Sequence, residues 1–214
     1  METSRKITVM GVLSEGTSIG LKNALSVLGA LILWILTCWV PYINVGTTIA
    51  LYTIPIELSK GKVISPLFIF DGKYRQYMGE FFTLIGLMLM SLIPAFLFMV
   101  VPGIIISIGW SLAFFLLIDK GMAPGEALVQ SNKATYGYKW TIFGVFFLIS
   151  LAMLILQFIF GLLGSFGVIL YLIAVLCLCI IEYGCLAVIY RNLTCAGAAD
   201  EPAPSISNEA PEAE

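Results

Sequence analysis

All eleven Lys and Arg residues of this chain fall on one side of a pattern of six apolar runs. Arg5, Lys6 and Lys22 precede or open the first run. Lys60, Lys62, Lys73 and Arg75 lie between the second and third, Lys120, Lys133 and Lys139 between the fourth and fifth, and Arg191 follows the sixth. The connections at 41–45, 101–103 and 161–165 carry no basic residue. Short cytoplasmic loops keep Lys and Arg, so the alternation predicts an all-α, polytopic membrane bundle of six transmembrane helices with both termini cytoplasmic. The spans are read at 18–40, 42–58, 79–101, 103–119, 140–161 and 166–190. A crossing of about 30 Å takes roughly 20 residues, so the second and fourth runs are the shortest that qualify.

The composition requires lipid as solvent. Sixty per cent of the residues are hydrophobic and 11% charged, where a soluble domain carries about 25% charged. The net charge of −2 reflects the end of the chain, where Asp200, Glu201, Glu209, Glu212 and Glu214 collect. This divides the chain into a cytoplasmic N-terminal segment (1–16), a six-helix transmembrane domain (17–193) and an acidic tail (194–214). The tail has too little apolar surface to fold and is expected to be disordered. No cleavable leader or lipid-attachment motif is expected. A basic face beside a bilayer predicts contact with anionic headgroups and no nucleic-acid site.

The six runs group into three hairpins with a period near sixty residues. Lys60 and Gly61 follow the second run, and Lys120 and Gly121 follow the fourth. Each pair is followed by a proline, Pro66 or Pro124, suited to the first turn of a helix. Pro41 and Pro102 are sixty-one residues apart. The unit is therefore two spans plus a short cytoplasmic interfacial helix. The first elbow runs from Pro66 through Leu67, Phe70, Tyr74 and Tyr77 to Phe81. Phe68, Phe70 and Tyr74 are expected at headgroup level, and Lys73 and Arg75 are the candidate lipid-facing basic residues. The second elbow carries Ala127, Leu128, Ser131, Thr135 and Tyr138 along one stripe. Small residues four apart, Gly103, Ser107 and Ser111, with Gly46 and Ala50, allow close helix approach.

Catalytic chemistry is scarce. The chain has no histidine, which removes Ser-His-Asp and Cys-His catalysis and histidine metal sites. No catalytic residue, metal site or cofactor is expected, and the cysteines at 38, 177, 179, 185 and 195 read as packing residues. The candidate intramembrane polar site is Glu182 with Gln157. Glu182 lies nine residues before Arg191, about 13 Å along a helix, and Gln157 is positioned to face it across the third hairpin. Two readings are open: a neutral glutamate hydrogen-bonded to a neighbouring helix, or a proton or cation site.

A resemblance rests on Pro102, Gly103, Ile104 and Ile105, on Ala127, Leu128 and Ser131, on Tyr136 and Gly137, and on Tyr190, Arg191, Asn192 and Leu193. On these residues, residues 66–193 resemble a bacterial family of six-span membrane proteins of largely unknown function. They also resemble the membrane domain of some glycerophosphoryl diester phosphodiesterases. The resemblance implies a six-span bundle and carries no catalytic residues, since no phosphodiesterase domain follows. The expected function is a non-enzymatic protein of the cell membrane, an envelope accessory or scaffold engaging lipids, a membrane partner or a second copy of itself. The alternative is a small transporter or channel subunit using Glu182.

Overall fold

The computed structural model describes residues 7–197, so Arg5, Lys6 and the chain from 198 onward, including most of the acidic tail, lie outside the described residues. Every regular element among them is helical. The order is α1 (Val9–Lys22), α2 (Ala24–Thr37), α3 (Pro41–Leu51), α4 (Thr53–Ser59), then two 3-10 turns, Pro66–Phe70 and Gly72–Tyr77. There follow α5 (Met78–Phe98), α6 (Val100–Gly109), α7 (Ala113–Lys120), α8 (Pro124–Ala134), α9 (Lys139–Gly161) and α10 (Gly164–Gly197).

Among the described residues, four helical stretches are long and apolar enough to cross a membrane: Gly72–Phe98, Val100–Lys120, Lys139–Gly161 and Gly164–Thr194. Counting the bent pair α1 and α2 as one makes five. The count falls short of the expected six in the first hairpin. The chain bends by 75° between α1 and α2, where the Asn23 side chain donates to the Ile19 carbonyl and the backbone leaves the helical region. The run read at 42–58 divides at Tyr52. Pro55 has no N–H to donate to the Leu51 carbonyl and its ring crowds that group, so α3 ends there. Neither piece reaches the roughly 20 residues of a span.

A side-chain contact shows where that hairpin goes. The Arg75 guanidinium lies 5.4 Å from the centre of the Tyr42 ring and against Gly46. In the six-span reading, Tyr42 and Arg75 sit on opposite sides of the bilayer. Their contact brings the start of α3 beside the basic elbow, so α2 and α3 fold back toward that segment.

The repeat survives in the breaks. The gap between α6 and α7, at Trp110 to Leu112, stands sixty residues after the gap at Tyr52. Gly61 and Gly121 both close their helices with positive φ, +70° and +62°, a backbone state open to glycine at little cost. In the second unit the break is filled by α8. The Ser131 hydroxyl donates to the Gly109 carbonyl (2.7 Å) and accepts from the Leu112 N–H (3.2 Å). The expected stripe of α8 thus faces protein: Ala127, Leu128, Ser131 and Thr135 are all buried. The third unit departs from the pattern, because α10 runs unbroken for 34 residues, about 51 Å.

That length exceeds a hydrocarbon layer by about 20 Å, and burial along α10 changes accordingly. Its first half exposes Phe166, Val168, Ile169, Leu172 and Ile173, whereas Cys185, Ala187, Val188, Ile189 and Tyr190 are buried. Exposed apolar side chains likewise cover α5 (Phe82, Leu89, Met90, Leu97) and α9 (Leu151, Leu154, Phe158). Two apolar hairpins therefore project from a packed body. The body forms where the second half of α10 meets α1 and α4, and rings from several helices close it. Tyr52 stacks on Phe114 at 4.7 Å, Phe81 meets Phe114 at 5.1 Å, and Phe115 meets Tyr190 at 5.7 Å.

The tightest seam is between α1 and α10, which cross at glycines. An added Cβ on Gly16 would stand 2.7 Å from the Cys185 backbone, and one on Gly20 would stand 2.5 Å from the Ile180 carbonyl oxygen. A Cβ on Gly184 would meet the Gly16 carbonyl. Arg191 at the end of this seam donates to Glu15 at 2.6 Å.

Candidate functional site

Glu182 stands where the apolar hairpin enters the body. Helices α9 and α10 run antiparallel from their turn, so Glu182, eighteen residues after Gly164, is level with Phe143, eighteen before Gly161. It is therefore only about 6 Å inside Lys139 along the hairpin. Arg191, from which its depth is counted along the sequence, lies within the body beside Glu15.

Gln157 is not its partner. It lies near the other end of α9 and is exposed, about 20 Å from Glu182 along the hairpin axis. Ser150 is exposed as well. The residues around Glu182 come instead from the folded-back first hairpin and the body. Together they line a cavity of about 310 Å³ that includes Trp34, Thr48, Tyr52, Phe115 and Tyr183. The indole N–H of Trp34 donates to the Thr48 hydroxyl at 2.9 Å, which holds the ring against the wall. Tyr52 is held by its stack on Phe114 and by Phe115 at 6.2 Å. Among the described residues, Glu182 makes no hydrogen bond or ion pair, so the interhelical bond considered for it is not formed. Its neighbours were beyond sequence reasoning because α2, α3 and α10 meet only through tertiary packing.

The basic elbow differs from the single amphipathic helix expected over 66–81. It is two 3-10 turns separated at Asp71. The Asp71 carboxylate accepts from the Lys73 N–H at 3.1 Å, a local bond that competes with the helix. That backbone bond, with the Lys73 ammonium 3.0 Å away, holds the Asp71 carboxyl below the usual carboxylate range. Tyr74, expected at headgroup level, is buried (6% exposed) and its ring meets Phe68 edge-on. Phe70 is exposed. Lys73 and Arg75 are exposed. Lys73 is neutralised in part by Asp71, whereas Arg75 has no carboxylate within ion-pair reach among the described residues.

A polar lock that the sequence reading missed joins three chain segments of the body. Asp119 binds the Lys60 ammonium at 2.5 Å and accepts from the Tyr190 hydroxyl at 2.6 Å. Glu57 adds Lys60 at 3.7 Å and Lys62 at 3.2 Å. Partial burial pulls the Lys60 pKa down, but the Asp119 hydrogen bond and the charges of Asp119 and Glu57 outweigh it and leave it above the ordinary lysine value. The sixty-residue repeat aligns Lys60 with Lys120 but carries no sign that Lys60 reaches Asp119.

Comparison with family models, with curated proteins and with solved structures finds no match.

Proposed function

We propose that this chain is a non-enzymatic integral protein of the cell membrane, an envelope accessory or scaffold that engages anionic lipid headgroups at the cytoplasmic face. The observation that carries this reading is Arg75. It is an exposed guanidinium with no acidic partner among the described residues, three residues before a 21-residue apolar helix, with Lys73 and Phe70 beside it. A basic residue at the foot of a membrane-length helix is placed to meet headgroup phosphate. The absence of histidine from the sequence supports the non-enzymatic part. Transport through the helices has less support, because Gln157 and Ser150 do not converge with Glu182 on one path.

The test is the lipid that stays bound. Full-length protein extracted into lipid nanodiscs should retain anionic phospholipid above its bulk share, and Lys73→Glu combined with Arg75→Glu should remove that enrichment. An identical lipid profile in wild type and double variant would refute the headgroup reading.

A further inference from the structure

We infer that the cavity at Glu182 is a binding site for a small organic cation, a protonated amine or quaternary ammonium carrying apolar substituents. Three observations converge on it. The cavity has one charged group on its wall, and that group is a carboxylate without a hydrogen bond or ion pair among the described residues. A carboxylate taken partly out of water either takes up a proton or is met by a counter-charge. Since no lysine or arginine lines this cavity, a cationic ligand is the counter-charge it can accept.

Four of the other nine residues on the wall are aromatic, beside Leu31, Leu51, Leu186, Thr48 and Cys179. Trp34, Tyr52, Phe115 and Tyr183 surround the space, and an aromatic face attracts a cation through its quadrupole, Trp most strongly. Trp34 and Tyr52 are already held in place by Thr48 and Phe114, so the walls need little reordering when a ligand enters.

The wall chemistry also selects among cations. A metal ion such as calcium takes about six to eight oxygen ligands. This cavity offers one carboxylate, and no group of three or more His, Cys, Asp or Glu suited to a metal occurs among the described residues. The Thr48 hydroxyl is already engaged by Trp34. A strongly hydrated ion would exchange its water for rings, whereas an alkylated ammonium brings apolar surface that the rings accept. The volume of about 310 Å³ lies at the lower end of ligand pockets, which run from about 300 Å³ upward. The occupant is therefore small.

This site stands apart from the lipid-facing elbow, and neither proposal depends on the other. Radiolabelled tetraethylammonium, measured by scintillation proximity on the full-length protein in detergent, is the probe. Saturable binding is expected in wild type, unchanged when sodium chloride at equal concentration is added as competitor. Glu182→Gln should weaken it by roughly tenfold or more, the scale of one charge–ring and charge–charge set in a partly dry site. Leu186→Phe keeps the carboxylate but fills the cavity, and should also abolish binding. It serves as the deciding variant should Glu182→Gln fail to elute as a folded species. No saturable binding to wild type, wild-type affinity in either folded variant, or full competition by sodium would overturn the assignment.

Discussion

Replacing Gly16 with alanine puts a methyl group into the seam between α1 and α10. Its Cβ would stand 2.6 Å from the Cys185 sulfur and 2.7 Å from the Cys185 Cα and N. Carbon contacts settle at about 3.5–4.0 Å, so the helices must separate by about 1 Å. Two of the three obstructing atoms are backbone and cannot rotate away. Overpacking of this kind costs about 1–3 kcal/mol, against a gain of up to about 1 kcal/mol from the better helix propensity of alanine. With the full propensity gain the net loss is about 0–2 kcal/mol, or a thermal midpoint lowered by up to roughly 8 °C. A second readout reports the seam itself. Cys185 is fully buried, and its thiol lies 3.7 Å from the Val12 carbonyl oxygen of α1. With the other four cysteines changed to serine, Cys185 should resist maleimide in the parent and react in Gly16→Ala. Gly125→Ala is the control, because no atom lies within 4 Å of its added Cβ, and it should leave stability equal or slightly higher. Gly16→Ala with an unchanged midpoint and a protected Cys185 would refute the argument. Gly184→Ala should be similarly costly alone and less so on top of Gly16→Ala, since the first change has already opened the seam.

Ser131→Ala should cost about 1–3 kcal/mol in thermal or denaturant unfolding, because it strands the buried Leu112 N–H and leaves the Gly109 carbonyl only the Thr135 hydroxyl at 3.3 Å. An equally stable variant would show that the break between α6 and α7 is satisfied otherwise. The raised Lys60 pKa gives a signed pH dependence: its contribution is full below the ordinary value of 10.5 and is lost as pH rises through the folded value. Lys60 is 42% exposed, so the loss stays within about 1 kcal/mol. A melting series from about pH 9 to about pH 12 should show it in wild type and not in Asp119→Asn; identical slopes would exclude the lock as its source. A cysteine at Ile43 should label from the same side as one at Gly72, while cysteines at Pro102 and Gly164 label from the other. Labelling of Ile43 together with Pro102 would restore the crossing first hairpin.

Punctuation was the most legible part of the chain. Lys60 with Gly61 and Lys120 with Gly121 announced a repeat, and both glycines close helices in the left-handed region. The proline at 124 opens a helix as expected. What misled was mean apolarity. The run from 42 to 58 reads as a span only if Pro55 is overlooked, and the run from 18 to 40 only if Asn23 continues the helix. Asp71 with Gly72 likewise carried a turn signal stronger than the aromatic periodicity around it. Gly16 and Gly20, four apart, are a small-residue motif in plain view, yet the division at 16/17 leaves Gly16 outside the bundle and Gly20 in the first span. The surroundings of Glu182 had no local signature at all. Trp34 and Thr48 reach it because α2 and α3 fold back, and that follows from long-range packing with the Arg75 segment.

The seam between α1 and α10 joins residues 173 positions apart, and chain order gives that distance a meaning in time. A ribosome adding about 5–20 residues per second leaves α1 waiting roughly 10–35 s for its partner. During that interval the face bearing Val12, Gly16 and Gly20 has nothing native to pack against, while the later hairpins are still entering the bilayer. This close seam cannot form until the second half of α10 has been made. Chains interrupted before the end of α10 should thus present an unmated N-terminal helix, the kind of surface that membrane quality control can recognise as unfinished.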